Sequence, residues 1–254
     1  MLNVLLNGCC GRMGQSIARQ LSDNESVKIL AGVDPAGVAY ADFPVYRSLF
    51  DVSEKADVII DFSNHSGTGA LLEYALRNSL PVVLSTTGHT REELVLVEEA
   101  SKQIPVFRSA NMSLGINVLM TLCKNAAEIL KDGFDIEIVE MHHNQKLDAP
   151  SGTALLLADG INSVLEERAE YVYDRHSTRE KRTKHEIGMH AIRGGTVVGE
   201  HSVIFAGTNE VLTLSHSAGS REVFASGAIK AAEFLVGQKP GLYNMDHMIS
   251  QMLG

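Results

Sequence analysis

The sequence predicts an α/β protein: an N-terminal Rossmann-type domain with a parallel sheet, followed by an α+β domain with a mixed sheet. Up to about residue 112, short and nearly continuous apolar segments alternate with helical patterns, which is typical of a sheet covered on both faces. Beyond that point, one long helical pattern and several strands of alternating polarity follow. A glycine turn between the first strand and the first helix is the third observation.

The first domain, residues 1–112, is expected to contain five strands and three helices. Its strands are recognised by runs of valine, leucine and isoleucine, and its helices by apolar residues three or four positions apart. We expect strands near 4–6, 27–33, 57–62, 81–84 and 104–107, and helices near 13–21, 69–77 and 91–101.

The second domain, residues 113–221, should begin with a long helix over 113–131. A strand over 135–141 follows, because polar and apolar residues alternate there and several are β-branched. A helix opens near Pro150 and runs to about Glu167. Later strands are expected at 187–193, 196–205 and 210–217, and a last helix at about 222–236. We expect the segment 222–254 to pack back onto the first domain.

Composition limits the possible partners and the location. The 254 residues carry a formal net charge of −9, which argues against nucleic acid or an anionic membrane as the main partner. No apolar run reaches the roughly 20 residues of a membrane helix, and the first residues resemble a strand rather than a signal peptide. Cys9, Cys10 and Cys123 form no disulfide framework. These observations favour the cytoplasm.

The glycine turn spans Gly8 to Gly14 and is followed by an acidic residue, Asp34, at the end of the second strand. Glycines allow close approach to a pyrophosphate, and the acidic residue can accept hydrogen bonds from an adenosine ribose. Cys9 occupies the slot of the first glycine in the common pattern, so a purely structural turn remains an alternative. A carboxylate repels the 2′-phosphate of NADPH, which favours NADH, although Arg12 could support some NADPH binding.

A cationic cluster follows the strand at 135–141. His142, His143 and Lys146 lie within five positions, shortly before a helix start at Ser151–Thr153. Free backbone N–H groups and cationic side chains suit carboxylates, and histidine and lysine suit proton donation. Alternatives are a metal site, for which convincing further ligands are lacking, and structural histidines. Asp148 could simply cap the helix.

Together these motifs resemble the 4-hydroxy-tetrahydrodipicolinate reductase family, formerly called dihydrodipicolinate reductase, over essentially the whole chain. The most specific match is the segment from Glu140 to Ala154, which is similar to E-x-H-H-x-x-K-x-D-A-P-S-G-T-A. The other matching segments are Gly8–Gly14, Asp57–Ser63, Ser85–Gly88, Ser109–Ser113, Ala191–Gly195 and Val198–His201.

The resemblance implies a role for each matching position. His142 is implied as the proton donor or acceptor and Lys146 as a second proton donor, while Asp34 holds the adenine ribose. Pyrophosphate binding is implied for Gly8, Cys9, Cys10, Gly11, Arg12 and Met13. The nicotinamide side is implied to be lined by Ser85, Thr86, Thr87, Ser109, Ala110, Asn111 and Met112. Substrate binding is implied for His143, Lys146, Ser151, Gly152 and Thr153.

The family also implies the reaction and the assembly. It implies reduction of a cyclic dicarboxylate by NADH or NADPH, with loss of water, in lysine and diaminopimelate biosynthesis. The first domain would bind the dinucleotide, and the second would bind substrate and form a homotetramer. Two departures are visible: Ser85 replaces the usual glycine, and Asn64-His65 replaces a frequent x-Pro.

Two other functions remain open from the residues alone. A dehydrogenase acting on a semialdehyde or an imino acid would need an acyl-accepting cysteine in the second domain, where Cys123 lies inside a predicted helix. A non-catalytic dinucleotide sensor would lack the cluster of His142, His143 and Lys146. The charged, aperiodic segment 174–186 is expected to be a long mobile loop whose basic residues are solvated.

Overall fold

The computed structural model describes residues 1–253, and the chain divides into two compact units. Unit 1 is formed by Met1–Leu114 and by the chain from Glu222 onwards, and unit 2 is Gly115–Arg221. The helices and strands are β1 (Leu2–Asn7), α1 (Arg12–Leu21), β2 (Val27–Val33), β3 (Val45–Tyr46), β4 (Val58–Asp61), α2 (Thr68–Asn78), β5 (Val82–Leu84), α3 (Arg91–Ser101), β6 (Pro105–Arg108), α4 (Leu114–Leu130), β7 (Asp135–His142), α5 (Gly152–Asn162), β8 (Glu170–Val172), β9 (Glu186–Arg193), β10 (Gly199–Ala206), β11 (Val211–Ala218), α6 (Glu222–Leu235), β12 (Gly241–Tyr243) and α7 (Met245–Leu253).

Unit 1 contains a parallel sheet of seven strands in the order β12-β6-β5-β4-β1-β2-β3. Its strands are apolar throughout because both faces are covered. In β4, for example, Val58 and Ile60 pack into one core cluster with α1, α6 and α7, while Ile59 packs into another with α2 and α3. All the strands end at one edge of the sheet, which is where ligands bind in open parallel sheets. The Rossmann-type prediction is confirmed.

Unit 2 contains a mixed sheet of five strands in the order β11-β10-β7-β9-β8. Strand β7 runs antiparallel to β10 and parallel to β9. Residues on one face of the sheet form a core cluster with α4 and α5. Because side chains alternate along a strand, Ile136, Ile138, Glu140 and His142 all lie on this covered face. The alternation that places Ile136 and Ile138 on the covered face at the start of β7 therefore also buries Glu140 and His142 at its end.

Several elements differ from the sequence expectation. Helix α5 ends at Asn162 rather than near Glu167, because the Asn162 side chain both accepts from and donates to the backbone of Ala169 and turns the chain back. Strands β3, β8 and β12 and helix α7 were not predicted. Among the described residues, no helix has both the length and the apolar character needed to cross a membrane.

The segment 174–186 is tied to the sheet of unit 2 by two arginines. Arg175 pairs with Glu137 and Glu186. Arg182, whose side chain is only 16% exposed, pairs with Glu137 and Asp135 and donates to the Ile136 and Glu186 carbonyls. The expectation that these basic residues are merely solvated is therefore wrong for both, because the carboxylates of Asp135 and Glu137 on β7 and of Glu186 on β9 lie within their reach.

Ile138 offers a test of the core of unit 2, because its side chain is fully buried in the middle strand. Replacing Ile138 with Ala should lower the free energy of unfolding by about 2–5 kcal/mol, since a cavity replaces packed methyl groups. Ile129 on α4 is 79% exposed, so Ile129→Ala is the matched control and should change stability by less than about 0.5 kcal/mol. Denaturant titrations followed by circular dichroism measure both, and equal small effects would contradict the packing described.

Candidate functional site

The glycine turn of unit 1 allows three backbone segments to pack closely. Gly8 has φ +78°, and a Cβ there would lie 2.6 Å from the Phe62 carbonyl oxygen. A Cβ on Gly14 would lie 2.4 Å from the Gly8 oxygen, so α1 packs directly on the turn. Gly11 is the N-cap of α1, with no side-chain cap and no acidic residue in the first turn. The N–H groups at this helix start suit an anion such as a pyrophosphate.

Asp34 lies at the end of β2 and is held beside the glycine turn. Its Oδ2 accepts from the Cys10 amide at 3.2 Å, and its Oδ1 accepts from the Ala36 amide at 3.0 Å. Cys9 is fully buried against Gly32, and burial, reinforced by Cys10, raises the pKa of Cys9 to about 12. Cys9 therefore fills space rather than serving as a reactive thiol.

Asp61 is a buried carboxylate that connects the ends of three strands. Its oxygens accept from Asn7 Nδ2 at 2.7 Å, Ser63 Oγ at 2.6 Å and Thr86 Oγ1 at 2.5 Å. Burial raises the pKa of Asp61 even though these hydrogen bonds act in the opposite direction. Asn7 precedes the glycine turn and Thr86 follows β5, so one side chain positions both loops implied to hold the dinucleotide.

The remaining residues implied for the nicotinamide side form two short loops. Ser85 is buried, and its hydroxyl has no hydrogen-bond partner within the described chain. Thr87 is exposed. Ser109 Oγ donates to the Asn111 carbonyl, and the Asn111 side chain accepts from the Ser113 amide. Ala110 is exposed, whereas Met112 is packed in the core and offers only its backbone.

A cavity of about 510 Å³ opens at this edge of unit 1. Its walls include Gly8, Gly11, Asp34, Phe50 and Ser63. The volume lies in the range of cofactor sites, and the lining combines apolar surface with a carboxylate and a helix start. These residues fit an adenine dinucleotide. Arg12, although exposed at the start of α1, does not line the cavity.

In unit 2, Glu140 is the buried centre of a hydrogen-bonded group. Arg193 donates to both of its oxygens, at 2.9 and 2.7 Å. His142 Nδ1 contacts Glu140 Oε2 at 2.6 Å, and the Ser151 amide donates to Oε1 at 3.1 Å. Burial would raise the pKa of Glu140, but hydrogen bonds from Arg193, His142 and Ser151 outweigh it and lower this pKa. The side chain of Glu140 is therefore ionised and carries a negative charge.

Glu140 determines which nitrogen of His142 is available for chemistry. A carboxylate at Nδ1 requires a proton on that nitrogen, so Nε2 is the nitrogen that carries the free lone pair in the neutral ring. A Cβ on Gly199 would lie 3.0 Å from His142 Nε2, so glycine at this position leaves room beside that nitrogen. The Gly194 amide donates to the His142 carbonyl at 2.9 Å and fixes the strand end.

His201 on β10 packs against His142 and against the start of α5. The two ring centroids are 5.2 Å apart in an edge-to-face arrangement. His201 Nε2 contacts Ser151 Oγ at 3.0 Å, and this oxygen also accepts from the Ala154 amide as the N-cap of α5. Burial and the nearby His142 lower the pKa of His201 to about 4, so the ring is neutral. Ser151 is 2% exposed, and its hydroxyl acts as a cap.

Lys146 and His143 lie on the turn that follows β7. Lys146 Nζ pairs with both Asp148 oxygens, at 2.8 and 2.9 Å, and its side chain is only 20% exposed. The hydrogen bonds from Lys146, together with the Coulombic attraction of its ammonium group, lower the pKa of Asp148. The Lys146 amide donates to the His143 carbonyl, which closes the turn. Gly152 begins α5 two residues after Pro150.

Sequence reasoning assigned no role to four residues of these two groups: Asp61, Glu140, Arg193 and His201. All four lie in segments that matched the family, and two of them, Asp61 and Arg193, end strands. Their roles depend on partners far away in the chain. Within the described residues, no group of three or more histidine, cysteine, aspartate or glutamate side chains is arranged to hold a metal ion.

Comparisons with known proteins give one consistent result. The family model described as "Dihydrodipicolinate reductase, N-terminus" matches residues 2–112, and the corresponding C-terminus model matches residues 115–249. A 4-hydroxy-tetrahydrodipicolinate reductase from Caldanaerobacter subterraneus subsp. tengcongensis is 58% identical over 99% of both chains. One from Clostridium tetani is 51% identical over 98% of both.

Solved structures agree. A dipicolinate-bound dihydrodipicolinate reductase from Paenisporosarcina sp. TG-14 is similar with a TM-score of 0.79 and 26% identity, covering 96% of this chain and 97% of the other. A probable dehydrogenase from Thermotoga maritima shares the fold with a TM-score of 0.62 and 11% identity, covering 99% and 94%.

The neutral state of His201 predicts a pH-dependent stability. The unfolded chain protonates this histidine below about pH 6.5, whereas the folded chain does so only near pH 4, so stability falls as the pH falls between these values. In His201→Gln, the glutamine side chain can still reach the Ser151 hydroxyl but has no group that titrates. The unfolding free energy of the original protein minus that of His201→Gln should decrease by up to about 3 kcal/mol from pH 7 to pH 4.

Denaturant titrations at several pH values measure this difference. Between pH 7 and 8 both side chains are uncharged, so the difference should be constant there, which provides the internal control. A difference that stays constant down to pH 4 would contradict the buried, neutral state of His201.

Proposed function

Because this chain belongs to the dihydrodipicolinate reductase family, in which it acts as an NAD(P)H-dependent 4-hydroxy-tetrahydrodipicolinate reductase, we propose that its proton-transfer groups are His142 and Lys146. The reaction converts (2S,4S)-4-hydroxy-2,3,4,5-tetrahydrodipicolinate to 2,3,4,5-tetrahydrodipicolinate in lysine and diaminopimelate biosynthesis. The reduced nicotinamide supplies a hydride. The ring also takes up one proton, and it loses water formed from its hydroxyl and one of its own hydrogens, so hydrogen replaces the hydroxyl overall.

The contact between Glu140 Oε2 and His142 Nδ1, at 2.6 Å, carries this proposal. It keeps a proton on Nδ1 and stabilises positive charge on the ring, so Nε2 can deliver a proton and take another from solvent. Arg193 holds Glu140 through two hydrogen bonds, which keeps the carboxylate charged and fixed. A proton donor held in one orientation loses less entropy on reaching the reaction geometry.

Lys146 is proposed as the second proton donor and as a positive charge beside the substrate. Its ammonium carries three donors, and Asp148 occupies part of this capacity. We propose that one substrate carboxylate binds at the start of α5, on the backbone of Gly152 and Thr153, while His143 binds it from the turn. Ser151 contributes by capping this helix start, because its hydroxyl is engaged with Ala154 and His201.

On unit 1, we propose that Gly8–Met13 hold the pyrophosphate and that Asp34 holds the adenine ribose. Ser85–Thr87 and Ser109–Met112 would line the nicotinamide, and the buried Ser85 hydroxyl can complete a hydrogen bond there. NADH is the proposed preferred cofactor, because the Asp34 carboxylate accepts from ribose hydroxyls and repels a 2′-phosphate. We further propose that this protein binds a small dicarboxylate as its substrate and resides in the cytoplasm.

A second proposal concerns assembly. The face of the unit 2 sheet opposite α4 and α5 carries Val139, Met141, Ile192 and Ile204, and Ile192 is 46% exposed in the single chain. Apolar side chains on an uncovered sheet face favour burial against another copy. We propose that the chain forms a homotetramer through this face.

Replacing His142 with Gln tests the proton-transfer role. The change should lower kcat by about 100-fold or more, because general acid catalysis is lost, and should affect the dissociation constant of NADH little. Lys146→Ala should both lower kcat and raise KM for the dicarboxylate. The measurements are NADH oxidation with synthase-generated substrate and fluorescence titration of NADH.

His176→Gln, in the exposed segment 174–186, is the matched histidine control and should retain turnover. Unchanged turnover in His142→Gln would reject its role as the acid. A Lys146→Ala variant in which only cofactor affinity changes would reject the assignment of the substrate site.

Replacing Ile192 with Glu tests the tetramer. Light scattering after size-exclusion chromatography should detect a tetramer for the original protein and smaller species for Ile192→Glu, since a buried carboxylate would lose its solvation. Ile129→Glu places the same charge on exposed α4 and should leave the tetramer intact. A monomeric original protein would refute the proposed assembly.

A further inference from the structure

Arg47 follows strand β3 and lines the same cavity as Asp34. The cavity contains one carboxylate, that of Asp34, and Arg47 is its only cationic lining residue within the described chain. In a protein with a formal net charge of −9, a single cation beside the ribose-binding carboxylate bears directly on which anions this cavity accepts. In the sequence, Asp34 is followed by Pro35, so no cationic residue adjoins it in the chain.

The backbone around Gly37 brings Arg47 to this position. The Asp34 amide donates to the Tyr46 carbonyl at 2.9 Å, so the end of β2 and the residue before Arg47 are joined. Gly37 has φ +62°, and a Cβ there would lie 2.7 Å from both Cγ and Nε of Arg47. The arginine side chain therefore crosses the glycine, and any larger residue at 37 would displace it.

The guanidinium of Arg47 is available to a ligand. The side chain is exposed, and no carboxylate in the described residues lies within ion-pair distance of it. By contrast, Arg175, Arg182 and Arg193 of unit 2 each bind carboxylates of this chain. A planar guanidinium with five N–H donors matches a phosphate monoester, to which it can donate two parallel hydrogen bonds.

We propose that Arg47 binds the 2′-phosphate of NADPH and, together with Asp34, sets the choice between the two reduced dinucleotides. Asp34 accepts hydrogen bonds from the free ribose hydroxyls of NADH, whereas Arg47 offsets the repulsion between Asp34 and a phosphate. The chain then uses NADH preferentially while retaining NADPH as a second reductant. This inference rests on the proposed function, because it assumes that the cavity holds the adenosine end of the dinucleotide.

Equilibrium binding of two adenosine fragments tests this without turnover. Adenosine 2′,5′-bisphosphate carries the 2′-phosphate, and adenosine 5′-monophosphate lacks it. In calorimetric titrations, Arg47→Ala should weaken binding of the bisphosphate by about 10-fold or more, as expected for loss of a charge-assisted hydrogen bond, and should affect the monophosphate much less. Arg47→Lys keeps the charge and should recover part of the affinity.

Lys28→Ala is the matched control, because Lys28 is an exposed cation of unit 1 outside the cavity. It removes the same charge and should leave both fragment affinities unchanged. If Arg47→Ala weakened binding of both fragments equally, Arg47 would only support the loop. If it weakened binding of neither fragment, Arg47 would not belong to the binding site. Either result overturns the proposal.

Turnover supplies an independent measure. The ratio of kcat/KM for NADPH to that for NADH should fall by about 10-fold in Arg47→Ala, in line with the fragment affinities. A ratio that does not change would overturn the inference even with NADH turnover intact. Failure of the proposed function would instead appear as absent turnover with both dinucleotides in the original protein, whatever the fragments do.

Discussion

A buried carboxylate must have its oxygens hydrogen-bonded, and this constraint organises the candidate functional residues of each unit. In unit 1, Asp61 is 1% exposed and collects donors from Asn7, Ser63 and Thr86. These donors come from the ends of three neighbouring strands. Because leaving Asp61 unsatisfied would cost several kcal/mol, the three loops are held in one arrangement before any dinucleotide binds.

The same constraint acts in unit 2, around Glu140. Glu140 is also 1% exposed, and its donors are Arg193 of β9, the Ser151 amide at the start of α5, and His142 on its own strand. The hydrogen bonds to this one carboxylate thus join the His142 imidazole, the proposed proton-transfer group, to the helix start that is proposed to bind a substrate carboxylate. Removing Arg193 would leave the buried Glu140 carboxylate without its cationic partner, which is strongly destabilising.

Much of the fold follows from local patterns. The covered parallel sheet was predicted from continuous apolar strands, and the strand over 135–141 was predicted from its alternation, which in β7 places Glu140 on the face of Ile136 and Ile138. Strands β3, β8 and β12 contain only two or three residues, too few for a periodicity to appear. Their formation depends on neighbouring strands that supply the hydrogen bonds, which is a non-local effect.

The sequence by itself determined the fold class, the glycine turn with Asp34, and the cationic cluster of His142 and Lys146, since each depends on residues close together in the chain. Only the tertiary structure decided that Arg193 would hold Glu140 and that Arg47, rather than Arg12, would line the cavity of Asp34. These contacts arise where separate strands come into register. The packing of whole sheets sets that register, and no short sequence pattern encodes it.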